Sequence, residues 1–167
     1  GTDEDVNINN YSYKRINHFL GCLKVFSNDD VKEIPPKIIQ DIQTFVSTRN
    51  ISTTKLYLRA KYKDYLPDAV KIHALVLEEP LPVLTQEHMK KLTDMFAQIQ
   101  QPFDSIRPEG RCNFLSYPYV AYKLLQLLKL TYFLKYIALL KSQSKIRNQE
   151  NIFKQICEKL NWTFIPL

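Results

Sequence analysis

At 167 residues the chain is long enough for one ordinary domain with its own core, and its 45% hydrophobic and 12% aromatic content excludes a disordered polypeptide. Only three glycines (Gly1, Gly21 and Gly110) argue against a strand-rich fold, which needs turn glycines in number. The net charge of +6 excludes an acidic, polyanion-repelling protein and favours polyanionic partners.

Residues 1–10 (GTDEDVNINN) are acidic and polar, and read as a flexible lead-in with no signal-peptide pattern. Helical patterning begins near Tyr11. Ile16, Phe19, Leu20, Leu23 and Phe26 recur at spacings of three and four and form one apolar stripe, which the turn Ser27–Asp30 ends. Pro35 and Pro36 fit the first turn of a second helix, where a missing N–H costs little, with Ile38, Ile39, Ile42, Phe45 and Val46 inward and Arg49-Asn50 as its end. Ser52 or Thr53 caps a short third helix through Leu56, Tyr57 and Ala60. Asp64 and Pro67 open a fourth, which runs to about Leu77 with Ala69, Ile72, Leu75 and Val76 inward. The next stretch, Glu78 to Leu84, has two prolines and no period, and reads as an extended joint between two halves that pack together.

Thr85 caps a long fifth helix, with Glu87 near its positive end. Met89, Leu92, Phe96, Ile99, Phe103 and Ile106 form its seam, and Pro102 predicts a break or kink. Pro108–Arg111 is the clearest loop. Ser116 caps a sixth helix with Pro118 in its first turn. Tyr119, Val120, Leu124, Leu127 and Leu128 on one face, with Ala121 and Leu125 beside them, make it buried nearly all round and the centre of the second half. A seventh helix starts at Thr131 and runs through Phe133, Ile137 and Leu140, and a last one uses Ile152, Phe153, Ile156 and Leu160. The apolar run Leu124–Leu140 is too short, and with Gln126, Lys129 and Lys135 too polar, to span a bilayer, so no membrane partner is expected. Trp162, Phe164 and Ile165 form a tail expected to close the second half's core against the sixth helix. The fold expected is all-α: a lead-in 1–10, then about eight helices in two packed halves, 11–78 and 85–167, joined by 79–84.

The charge is uneven: residues 11–63 carry +6 and residues 111–167 carry +7, on either side of a stretch 64–110 that carries −4. Polyanion binding is the one chemistry the residues support. Lys55, Arg59 and Lys63, each four apart, share one face of the third helix. Arg111, Lys123, Lys141, Lys145 and Arg147, with Lys129 and Lys135, form a second basic supply. The interleaved Tyr57, Tyr62, Tyr65 and Tyr117 have rings that stack on bases if exposed, and the alternative is a solvated lysine face over core tyrosines. No phosphate-binding glycine loop, HExxH or GxSxG motif occurs. His18, His73 and His88 fall on three different helices and read as structural. Cys22, Cys112 and Cys157 lack metal-ligand spacing and read as buried thiols of a reducing compartment. No catalytic residue, metal site or enzymatic activity is expected.

Several ordered segments together carry a family resemblance. They are Tyr13-Lys-Arg-Ile-Asn-His-Phe19, Glu33-Ile-Pro35, Leu84-Thr85, Gln98-Ile-Gln-Gln-Pro-Phe103, Asn113-Phe-Leu-Ser-Tyr-Pro-Tyr-Val-Ala-Tyr-Lys123, Leu140-Lys-Ser142 and Ile156-Cys-Glu-Lys-Leu-Asn-Trp-Thr-Phe-Ile-Pro166. In order and spacing, from about Tyr11 to the end, the chain resembles the viral late transcription factor 3 family of poxviruses and other large double-stranded DNA viruses. The segment Leu23–Asn28 departs from that pattern. The resemblance implies a factor that helps a virus-encoded RNA polymerase transcribe late genes in the infected cell, in a cytoplasmic viral factory, the nucleus or the virion. Its implied partners are promoter DNA, viral RNA polymerase and other viral transcription factors. It also implies a cysteine-rich zinc element ahead of the helical region, so this sequence reads as an excised C-terminal domain with no cofactor of its own. A zinc ribbon before two helical halves is similar in layout to general factor TFIIB, and on that analogy the halves would be cyclin-like. The competing reading is a protein-interaction module that does not touch DNA.

Overall fold

A computed structural model of the chain describes residues 2–27, 32–107 and 113–167, with side chains from residue 11 onward. Seven α-helices account for most of it: α1 (Thr2–Leu23), α2 (Pro36–Phe45), α3 (Ile51–Lys61), α4 (Ala69–Leu77), α5 (Gln86–Ile106), α6 (Tyr117–Leu127) and α7 (Gln143–Leu160). Short 3-10 turns lie at Lys24–Phe26, Lys63–Asp68 and Thr131–Tyr136. No strand occurs among the described residues, and the fold is all-α as the sequence periods require.

The chain divides into two compact units, and the division is not sequential. One unit holds Gly1–Leu23, Thr85–Thr131 and Leu139–Leu167; the other holds Lys24–Leu84 and Tyr132–Ala138. The boundary at Leu84/Thr85 coincides with the expected joint. However, α1 groups with the C-terminal helices, and Tyr132–Ala138 groups with α2, α3 and α4.

In the discontinuous unit that contains α1, α5 packs against α7, and α1 packs against both α5 and α6. The α5 seam is buried at Leu92, Phe96, Ile99 and Phe103. Phe19 of α1 stacks on Phe96 with ring centroids 4.4 Å apart. Five of the eleven residues of α6, namely Tyr119, Val120, Ala121, Leu124 and Leu125, are buried and apolar, so this helix is enclosed nearly all round as its sequence requires. α7 contributes Ile152, Phe153, Ile156 and Cys157. In the other unit, α2, α3 and α4 enclose Ile34, Ile38, Ile42, Ile51, Leu58, Ala69, Ile72 and Val76. Tyr57, Tyr62, Tyr65, Leu66 and Ala138 are packed around that cluster.

Local chemistry sets the helix ends. Pro36 occupies the first turn of α2 and Pro35 its N-cap position. The third helix is capped by Asn50, two or three residues earlier than the Ser52 or Thr53 expected, through a reciprocal Asn50–Thr53 capping box. Thr85 caps α5 as expected, with His88 completing a second box. α4, α6 and α7 each end on a residue in the left-handed region: Glu78 (φ 55°), Lys129 (φ 61°) and Asn161 (φ 58°). Behind each, the next N–H reaches back five residues: Glu79 to Ala74 (3.0 Å), Leu130 to Leu125 (2.9 Å) and Trp162 to Cys157 (2.9 Å). These are Schellman caps, usually made by glycine, built here without one.

Several expectations are corrected. α1 begins at Thr2, inside the stretch read as a flexible lead-in; once an amphipathic segment nucleates a helix, adding polar residues needs no apolar period. α5 runs through Pro102 without a break, at the cost of the N–H that would bond the Gln98 carbonyl. The expected seventh helix from Thr131 is only the 3-10 turn Thr131–Tyr136, with Phe133 and Tyr136 as its buried residues. Phe45 (69% exposed), Leu56 (58%) and Leu75 (40%) face solvent, not the core. Phe45 is the last residue of α2, where the backbone turns extended at Val46. The buried stripe of α3 is Ile51, Thr54 and Leu58, which puts Leu56 on the opposite side. The expected loop Pro108–Arg111 and most of the turn Ser27–Asp30 lie outside the described residues.

Candidate nucleic-acid interface

On α3, Lys55 and Arg59 are one turn apart on one flank, Lys55 half-buried and Arg59 exposed. Lys63 does not extend that ladder. The helix stops at Lys61, Tyr62 leaves it with φ −140° and ψ 57°, and Lys63 begins the following 3-10 turn, exposed. Tyr62 is held there by its hydroxyl, which donates to Asp41. That bond, with burial and the Asp41 charge, pushes the Tyr62 phenol up to about 12.

The four tyrosines expected to stack on bases are occupied by the protein itself. Tyr57 and Tyr62 pack on the aliphatic cluster and lie 6.3 Å apart. Tyr65 lies under the Lys32 ammonium, 4.4 Å from the ring centroid. Tyr117 stacks on His18 at 5.4 Å. They read as apolar–polar alternation in the sequence because each has an apolar body and a polar tip; only the packing shows which part is used.

In the unit containing α1, Lys123 is a correction. The sequence places it with the basic supply, but it is 1% exposed and cannot meet a nucleic acid. Its ammonium is 2.9 Å from the Glu150 carboxylate and donates to the Ile165 carbonyl. It also lies 4.6 Å from the centroid of Phe164 and 5.8 Å from that of Phe153. Glu150 further accepts from the Tyr119 hydroxyl and, at 2.8 Å, from the Leu167 N–H. Burial acts to raise the Glu150 pKa, but hydrogen bonds from Tyr119, Lys123 and Leu167 outweigh it and hold the carboxyl below its ordinary value. Burial also pushes the nearby Cys157 thiol up to about 11, which keeps it protonated. The node ties α6, α7 and the C-terminal tail together. Trp162 and Phe164, both expected to close the core, are each half-buried, and Phe164 lies 6.4 Å from Phe153.

Lys141, just before α7, and Lys145 and Arg147 on it are exposed. Lys154 was missed. It is exposed and lies seven residues beyond Arg147, hence on the same side of the helix; counting charges along the chain conceals what two helical turns bring together. Arg111 lies outside the described residues. Lys135 is paired with Glu79.

Four of the segments that carry the resemblance meet one another. Arg15 forms a two-pronged pair with Asp104 (3.1 and 3.3 Å) and lies over Phe114 at 4.8 Å. Phe114 in turn meets Phe103 edge-on at 4.7 Å. The first segment thus closes on the Gln98–Phe103 and Asn113–Lys123 segments, and the Lys123–Glu150 node closes the latter on the tail. The three histidines hold separate places. His18 stacks, and His88 caps α5. His73 is buried with Nδ1 2.8 Å from the Thr54 hydroxyl, and burial lowers its pKa. Among the described residues no group of His, Cys, Asp and Glu is arranged to hold a metal, and no helix is long and apolar enough to cross a membrane.

The family model described as Poxvirus Late Transcription Factor VLTF3 like matches residues 6–164. The chain belongs to this family. Three relatives carry the name "Putative transcription factor". One, from Paramecium bursaria Chlorella virus 1, is 36% identical over 163 residues, covering 92% of this chain and 45% of the relative. Another, from Acanthamoeba polyphaga mimivirus, is 29% identical over 162 residues, covering 92% of this chain and 38% of the relative. The chain therefore spans less than half the length of these two VLTF3-like relatives. No solved structure matches the fold.

Proposed function

We propose that this VLTF3-like domain contacts duplex DNA through exposed cations, with the Lys141–Lys154 segment around α7 as the principal surface. Supporting it is the exposure of Lys141, Lys145, Arg147 and Lys154, while the segment's one acid, Glu150, is turned inward onto Lys123. Arg59 and Lys63 on the other unit are exposed and Lys55 is half-buried, a second and smaller supply. In this reading the domain acts with the viral RNA polymerase in the infected cell, together with the zinc element that the family resemblance implies.

The test is fluorescence anisotropy of the chain on a 30-base-pair duplex, between about 50 and 200 mM salt. Each phosphate contact contributes a slope of about −0.9 in log K against log salt. Lys145→Glu with Arg147→Glu should weaken binding and flatten the slope by roughly two units. Salt-insensitive or absent duplex binding would overturn the reading. The interaction-module reading has its own observation, the exposed Phe45 and Leu56. It is favoured if the chain ignores DNA but captures purified viral polymerase in a manner lost in Phe45→Ser.

A further inference from the structure

The outward face of α7 interleaves cations with side-chain amides. Arg147, Asn148, Asn151, Lys154 and Gln155 fall at i, i+1, i+4, i+7 and i+8, the spacing of one helix face, and all five are exposed. The opposite face, with Gln149, Ile152, Phe153, Ile156 and Cys157, is buried. No acid joins the outer stripe until Glu158, near the helix end. Lys145 and Lys159 lie beside its Asn148 edge. The Gln155 side-chain amide donates to the Asn151 backbone carbonyl at a long 3.3 Å.

Helix stability does not account for this choice. Asn is among the weaker helix formers, and its usual compensation is capping. Asn148 and Asn151 lie beyond the first turn of α7, whose cap is Ser142, so neither caps it. α3 shows Leu56, Arg59 and Ala60 outward, and α5 mixes Glu87, Asp94 and Asp104 with Lys90 and Lys91; shorter pairs of cation and amide, Lys14 with Asn17 on α1 and Lys37 with Gln40 on α2, do not extend to a five-residue stripe. Cations interleaved with side-chain amides are the set that reads base edges in the major groove. Arg and Lys donate to guanine O6 and N7, and Asn and Gln pair with adenine N6 and N7. From Arg147 to Gln155 the stripe is about 12 Å long at 1.5 Å per residue, which matches roughly three to four base pairs.

We propose that α7 is a recognition helix: its Arg147–Gln155 stripe enters the major groove of B-form DNA and reads three to four base pairs, while Lys141, Lys145 and Lys159 contact flanking phosphates. This rests on the duplex-binding reading above and adds sequence discrimination to it. Because the amide variants are uncharged, they separate the two.

The experiment is selection by the whole chain from a pool of 30-base-pair duplexes with randomised centres, followed by anisotropy on the enriched duplex. The wild type should enrich a short motif that contains adenine. Asn151→Ala and Asn148→Ala should each relax one position, with discrimination there falling about fivefold to a hundredfold and the salt slope unchanged. Placing 7-deazaadenine at the affected position should produce the same loss in the wild type, because it lacks the major-groove acceptor. A motif that both variants leave intact, or salt-sensitive binding with no motif enriched, overturns the recognition helix and leaves the DNA-contact reading standing. Absence of any duplex binding overturns both.

Discussion

Lys123 shows how far one residue's setting can depart from its type. An ammonium buried among Phe153, Phe164 and Tyr119 is stable only because Glu150 and the Ile165 carbonyl accept its hydrogen bonds. Lys123→Met would keep the stem and strand the carboxylate, a change that typically costs about 3–5 kcal/mol. The melting temperature should fall by roughly 10 °C, with duplex affinity measured below the transition unaffected. Lys123→Met/Glu150→Gln should recover most of the loss, since the amide still accepts from Tyr119. The sign with pH follows from the lowered Glu150 pKa: its contribution is complete above the ordinary glutamate value of 4.5 and fades as pH falls through the lower, folded value. An unchanged melting temperature in Lys123→Met would mean that the ammonium is solvated after all. Nothing in the segment Tyr-Lys announces this burial; the partner is 27 residues away in the chain, and only the packing of α6 on α7 supplies it.

At the scale of the element, the chain's poverty in glycine leaves a measurable strain. Lys129 holds the left-handed position that ends α6, a conformation costing an L-residue roughly 1–2 kcal/mol. Glycine there removes that cost but adds unfolded-state entropy of about 0.5–1 kcal/mol. Lys129→Gly should therefore raise the melting temperature by a few degrees, and Lys129→Val should lower it, as differential scanning calorimetry can measure. Asn161→Gly should gain less, because asparagine already tolerates this region. Equal melting of the glycine and valine variants would rule out the left-handed cap. Helix starts were more legible than helix ends. Thr85 and Pro36 announce themselves by type, whereas a Schellman cap on Glu78 or Lys129 has no sequence signal once glycine is not used.

At the scale of the molecule, the sequence suggests two consecutive halves and the fold makes two interleaved units. α1 lays Phe19 and Leu23 into the core, and its Arg15 closes on Asp104 and Phe114. A fragment of residues 85–167 should therefore fail to melt cooperatively and should bind a hydrophobic dye, where the full chain does neither. A fragment that melts like the full chain would show that α1 is dispensable. The helical class, the apolar seams of α5 and α7 and the enclosure of α6 were all determined by the sequence itself, because a 3.6-residue period encodes which residues of one helix face together. Only the tertiary structure decided that α1 joins the C-terminal helices, that Lys123 is inside, that Phe45 and Leu56 are outside, and that the tyrosines are taken by the core. A period states that a helix has an inner face. Which partner covers that face, and where the cover stops, depends on contacts between residues far apart in the chain, which no local pattern records.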